Sequence, residues 1–182
     1  PVFLALLREL GVAPVKSDMS LSARIEAAGV EYNGTSTDAL FAQRSNVLRP
    51  RFWSMVRGIL RFYREAPALL ELADAGPDLG DYLDAHGYSA AFRDDHLLPM
   101  ASALWSSPSE QILKFPAKYL VTFMANHQMM VTGDRQPWRV VRGGSNRYVQ
   151  ALLANARFRV RAATPVRSVA RTESGVKLRL DS

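Results

Sequence analysis

Proton transfer near neutral pH falls most naturally to histidine, and this sequence has three: His86, His96 and His127. His96 ends an Arg93-Asp94-Asp95-His96 run. A carboxylate beside an imidazole suits general acid–base work, and the same run suits a structural hydrogen-bonding role equally well. His127 lies between Asn126 and Gln128 in the apolar stretch 117–130, where it could face a substrate cavity or be a satisfied buried histidine. The histidine separations match no metal-ligand spacing, so no metal is expected. The absence of cysteine removes thiolate sites, thiol nucleophiles and disulfides. No nucleophile elbow occurs, and hydrolase chemistry is unsupported. Catalytic side chains therefore stay unassigned.

The elements that must hold these groups can be read from pattern. Residues 2–10 form a helix stopped by Gly11 and Pro14. Residues 15–25 alternate like a strand, and Val30-Glu31-Tyr32 can return beside them as a hairpin. A short helix over 37–43 is capped by Ser36 or Thr37. Residues 51–64 then give the strongest helix, with Pro50 as its first-turn residue. Its apolar face is Phe52, Val56, Ile59 and Tyr63, widened by Trp53 and Leu60. Arg57, Arg61 and Arg64 line the opposite side as a solvated basic face or a phosphate or membrane-surface contact. Short helices follow over 67–73 and 78–86. In the long apolar stretch 89–105, Pro99 should kink or divide the helix. Ser107, Pro108 and Glu110 have the spacing of a capping box, and 117–130 reads as a helix apolar on nearly all sides.

The last part, 138–180, reads as a short strand, a tight Gly143-Gly144 turn, and a helix capped by Ser145 or Asn146. A strand through Phe158 and Val160 follows, then a hairpin from Thr164 that turns at Glu173-Ser174-Gly175. The fold class expected is α+β: a mainly helical body, 1–137, with a hairpin near its start, followed by 138–182 with a second hairpin.

At 182 residues, with 48% apolar and 22% charged side chains, the chain can build a real core. No apolar run approaches the ~20 residues that cross a bilayer, and 1–7 lack a basic start and a cleavage site. A cytoplasmic setting is expected. From Arg135 to Arg171 there are nine arginines and no acid. Without a nucleic-acid-binding motif the charge does not imply nucleic acid, and a membrane surface is the weaker reading of it.

The ordered blocks LLRELGV, SDMSLSARI, LFAQRSNVLRPRFW, FRDDHLLPMASALWSSP and PWRVVRGGSNRYV resemble the flavin-containing amine oxidase superfamily, in particular its bacterial NAD/FAD-binding, amine-oxidase-like members. The resemblance implies an FAD-dependent oxidoreductase, with the helical body as its substrate-binding region and 138–182 leading back to the FAD-binding domain. It also implies that the backbone of Val166 contacts the adenine side of FAD and that the Gly143-Gly144 turn lies near the flavin. Ser145 stands where many amine oxidases carry methionine, a departure from the pattern for amine oxidation. No G-x-G-x-x-G is present to grip pyrophosphate. The chain is accordingly read as an internal fragment, inactive and a poor FAD binder by itself.

Met55, Met100, Met124, Met129 and Met130, with Trp53, Trp105, Phe115, Tyr119 and Phe123, would suit a pocket for an apolar small molecule or a plain helical core. The competing reading of the whole is a non-catalytic helical module that binds an apolar or anionic ligand.

Overall fold

The computed structural model describes residues 2–18, 20–131, 137–156 and 158–180. In chain order the elements are α1 (Val2–Glu9), β1 (Pro14–Lys16), β2 (Ser22–Ile25), β3 (Val30–Asn33), α2 (Thr37–Leu40) and α3 (Pro50–Glu65). Then come α4 (Leu79–Ala85), α5 (Ala90–Phe92), α6 (Leu98–Trp105), α7 (Ser109–Ile112) and α8 (Ala117–Asn126). The chain finishes with β4 (Arg139–Val141), α9 (Asn146–Ala154), β5 (Val166–Thr172) and β6 (Gly175–Leu180). Among the described residues helix makes up 51% and strand 17%, in three small antiparallel pairs, so the α+β, mainly helical class holds.

Two compact units divide the chain. One is discontinuous, 1–18 with 137–182, and the other, 19–136, is continuous and helical. The first eighteen residues group with the final segment because β1 pairs with β4, with Val15 opposite Val140. The extended stretch expected over 15–25 accordingly divides: β1 takes β4 as partner, and β2 takes β3.

In the helical unit the β2–β3 hairpin turns through a 3₁₀ turn, Glu26–Ala28, and Gly29 at φ 59°. Its register places Ala23 and Ile25 beside Tyr32 and Val30 on one face, which packs on Phe52, Met55 and Ala91. The outer edge of β3 is closed by side chains. Gln43 accepts from the Glu31 N–H at 2.8 Å, and Asn46 donates to the Glu31 carbonyl at 2.9 Å.

Pro50 starts α3 with a preset φ and no unsatisfied N–H. The helix buries Phe52, Met55, Gly58 and Phe62, while Trp53 and Leu60 are exposed. The buried stripe is thus rotated from the Phe52–Val56–Ile59–Tyr63 face expected. The rotation follows from Gly58: a Cβ there would lie 2.6 Å from Cγ of Phe92, so the absent side chain lets α5 approach closely. Phe52 and Met55 serve the hairpin core, and Phe62 serves a larger core with Leu79, Leu83, Phe92, Leu97, Leu120 and Met124.

Two helix starts lock together at the far side of that core. The Leu79 and Gly80 N–H groups of α4 donate to the Phe115 and Leu113 carbonyls, and Ala117 N–H of α8 donates to Pro77. Donors that a helix start leaves unpaired are thereby satisfied by backbone. The expected capping box over 107–110 does not form. Ser107 Oγ donates to the Trp105 carbonyl instead, and α7 begins after Pro108 without a side-chain cap. Helix α8 ends at Asn126, earlier than expected, because Gln128 turns left-handed (φ 53°) and Met129 N–H closes on the Met124 carbonyl. It is also one-sided: Leu120, Val121 and Met124 are buried and Tyr119 is exposed.

In the discontinuous unit Gly11 (φ 66°) ends α1, as its sequence implies. The β5–β6 hairpin forms in the register Val169↔Leu178 and Thr172↔Gly175, with an irregularity between Val166 and Ser168. Phe158 and Val160 do not form a strand. They are exposed, with no ladder partner to fix an extended segment.

Candidate functional site

The stretch 89–105 is divided just ahead of Pro99, one of the two outcomes expected of that proline. Helix α5 passes into a π turn, Arg93–Leu97, and Pro99 falls in the first turn of α6, which runs on directly from it. Proline cannot supply an N–H to the carbonyl four residues before it, and that carbonyl belongs to Asp95. It finds another donor: the Tyr32 hydroxyl, reaching across from β3 at 3.0 Å.

The π turn also aims two buried polar side chains inward, Asp95 at 1% exposure and His96 at 7%. Arg51, in the first turn of α3, grips the Asp95 carboxylate with two prongs, Nε to Oδ2 at 2.7 Å and Nη2 to Oδ1 at 2.8 Å. That is the two-pronged geometry in which guanidinium–carboxylate pairs are strongest. It raises the Arg51 pKa further above its ordinary range.

Tyr32 Oη also lies 2.9 Å from His96 Nδ1. The phenol has one proton, and it goes to the Asp95 carbonyl. Nδ1 of His96 must then carry a hydrogen and donate to the phenol oxygen, leaving Nε2 with a lone pair. Nε2 is buried and has no partner among the described residues. Burial pushes the His96 pKa down to about 4 and the Tyr32 pKa well up, the latter also through the nearby Asp95 charge. At neutral pH the cluster therefore holds a neutral imidazole, a neutral phenol and one ion pair. A base that weak takes a proton poorly near pH 7. The geometry thus favours the hydrogen-bonding role of His96 over general acid–base work.

The other histidines are separate. His86 Nδ1 meets the Tyr82 carbonyl one helical turn earlier, at 2.8 Å, and its ring stacks on Tyr82. His127 stacks on Phe123 with centroids 4.3 Å apart. It ends an aromatic row along α8, in which Tyr119 and Phe123 both pack on Trp105 of α6. Met55, Met100 and Met124 are spent in the packed cores, and Met129 and Met130 lie at the edge of the larger one. Among the described residues no group of three or more histidines and carboxylates could hold a metal ion, and no helix is long and apolar enough to cross a membrane.

The residues singled out for FAD lie in the discontinuous unit. Gly143 (φ 78°) and Gly144 (φ 84°) both adopt the left-handed conformation between β4 and α9, which explains the pair without reference to a ligand. A Cβ at Gly144 would meet nothing within 4 Å, so that turn presents bare, open backbone. Val166 begins β5, opposite Leu180, and is half exposed.

Sequence reasoning named His96 and the Asp95 beside it, and missed Tyr32 and Arg51, which bond them from other elements. One signal was available: Pro99 marks the Asp95 carbonyl as needing a donor. Nothing local pointed to Tyr32 as that donor. No protein-family model matches this chain, and no curated protein matches it.

Proposed function

We propose that the chain is part of an FAD-dependent oxidoreductase resembling the flavin-containing amine oxidases. In this reading the helical unit supplies the substrate-binding region, and 138–180 lead toward the FAD-binding part. The observation that carries the reading beyond the resemblance is the uncovered state of the discontinuous unit, in which only Leu7 is buried among the described residues. Its β5–β6 hairpin is two-faced. Ladder partners place Val169, Leu178, Val176 and Leu180, with Arg171 opposite Val176, on one mainly apolar side, and Ser168, Arg179, Ala170 and Lys177 on the other. On the apolar side Val169, Val176 and Leu178 are 64%, 60% and 54% exposed. A lone two-stranded hairpin is marginal in water, and such a face is built to be covered by further protein.

The residues present fit part of a flavin site. Open backbone at Gly144, ahead of the nine-residue α9, can approach a cofactor closely, and Val166 offers main-chain groups at a strand start. They do not provide a pyrophosphate grip. When bound, flavin supplies the hydride acceptor, while protein orients substrate and excludes water.

The test is the absorbance spectrum of the protein expressed from the complete reading frame. A flavin band is expected, and a colourless product overturns the reading. The 182-residue chain titrated with FAD should bind weakly or not at all, and tight stoichiometric binding by it would contradict the assignment of the cofactor grip elsewhere.

A further inference from the structure

Charge is divided unevenly between the units. The discontinuous unit carries twelve lysines and arginines against four acids, and the helical unit eleven against thirteen. Part of that excess gathers on one face of the β1–β4 ladder. Lys16 and Arg139 are direct partners across the two strands. The bonds Ser17 N–H to Trp138 O and Arg142 N–H to Ala13 O set the hydrogen-bonded pairs at 13/142, 15/140 and 17/138. Lys16 and Arg139 therefore form a non-hydrogen-bonded pair, the kind that brings Cα atoms to about 4.5 Å and side chains closest. Like charges directly opposite each other on a sheet destabilise it.

Pro14 and Val141 share that face by alternation. Beside it lies a cleft of about 460 Å³, lined by Arg139 and Pro14 from the ladder, Arg8 and Leu4 from α1, and Val12 from the turn between them. The volume is within the range of small-molecule sites. Among the described residues no carboxylate lies within ion-pair distance of Arg8, Lys16 or Arg139. The acids nearest in sequence, Glu9 and Asp18, do not line the cleft.

We propose that this cleft binds a small organic anion. Its carboxylate or phosphate head is held by Arg139 and Arg8, with Lys16 alongside, and its short apolar body rests on Leu4, Val12 and Pro14. The bound anion offsets the repulsion across the ladder. Arginine suits the role because its planar fork matches either head. The proposal rests on the ladder register and the cleft, so it stands or falls independently of the flavin reading.

The 182-residue chain is titrated calorimetrically at low salt with octanoate, octyl phosphate and decyltrimethylammonium. The expected result is saturable one-to-one binding of at least one of the two anions and none of the cation; the tighter-binding anion identifies the head group. Arg139→Gln should weaken that binding about tenfold, the loss of one charge-assisted pair. Lys16→Gln gives opposed readouts: weaker anion binding, and a higher thermal midpoint in anion-free buffer because the like-charge pair is gone. The proposal is overturned if neither anion saturates, if the cation binds as well as the anions, if Arg139→Gln leaves the dissociation constant unchanged, or if Lys16→Gln lowers the midpoint.

Discussion

Acid should destabilise the helical unit through one residue, and the size of the effect can be worked out. His96 is neutral in the fold, with a pKa pushed down to about 4 by burial, against 6.5 when exposed. The unfolded chain therefore takes up a proton on this side chain before the folded one does. The stability this residue contributes is complete above pH 6.5 and drains away as pH falls toward 4. At about 1.4 kcal/mol per pH unit, the total is about 3 kcal/mol. The structure gives the cause. Protonation would place a hydrogen on Nε2, which is buried without an acceptor, while Nδ1 is already committed to Tyr32. The perturbation is His96→Gln, compared with the wild-type chain by urea unfolding at steps from pH 7.5 to 4. At pH 7.5 the wild type should be more stable by about 1–2 kcal/mol, the worth of a buried hydrogen bond and its packing. Below pH 6.5 that advantage should shrink, vanish between about pH 6 and 5, and then reverse. All other side chains are common to both proteins, so their contributions cancel in the difference. A stability gap that stays constant across the whole range would refute the reasoning.

Three further outcomes are expected. Gly58→Ala should lower the thermal midpoint by the equivalent of about 1–3 kcal/mol, because overlap with Phe92 Cγ outweighs the ~1 kcal/mol that alanine gains in a helix; an unchanged or raised midpoint contradicts this. Arg51→Met should cost about 2 kcal/mol in chemical denaturation at pH 7. It leaves the Asp95 carboxylate buried without its counter-charge, although water can partly replace a guanidinium that is half exposed, and Asp95→Asn should cost less. Tyr32→Phe should cost about 2 kcal/mol in the wild type and about 1 kcal/mol less in a Pro99→Ala background, where an N–H at position 99 can serve the Asp95 carbonyl. Strictly additive losses in that double-mutant cycle would show that the two positions do not share a carbonyl.

What could be read from the sequence was local. The β2–β3 and β5–β6 hairpins, the start of α3 at Pro50 and the Ser36 cap on α2 all depend on a few adjacent residues, and all formed. The face α3 buries was not legible, because it is decided by Phe92 arriving against Gly58 from another helix. The pairing of β1 with β4 was hidden for the same reason: more than a hundred residues separate the partners, and neither strand carries a mark of the other. Within the polar cluster, the Arg93-Asp94-Asp95-His96 run singled out the right histidine. Its partners Tyr32 and Arg51 are legible only once β3 and α3 are placed against the π turn.

The buried cluster and the helix break are one device. A proline in the middle of a long apolar helix leaves the carbonyl four residues earlier unpaired, and in a dry interior that group demands a donor. Widening the helix to a π turn moves Asp95 and His96 inward at the same point, so one phenol can serve the carbonyl and the imidazole together. The carboxylate that comes in with them then needs Arg51. Each demand is met from a different element: Tyr32 from β3 and Arg51 from the first turn of α3. An apolar contact tolerates sliding, whereas these bonds are made only when hairpin, helix and π turn reach one mutual register. The cluster's contribution on this account is specificity of packing more than net stability.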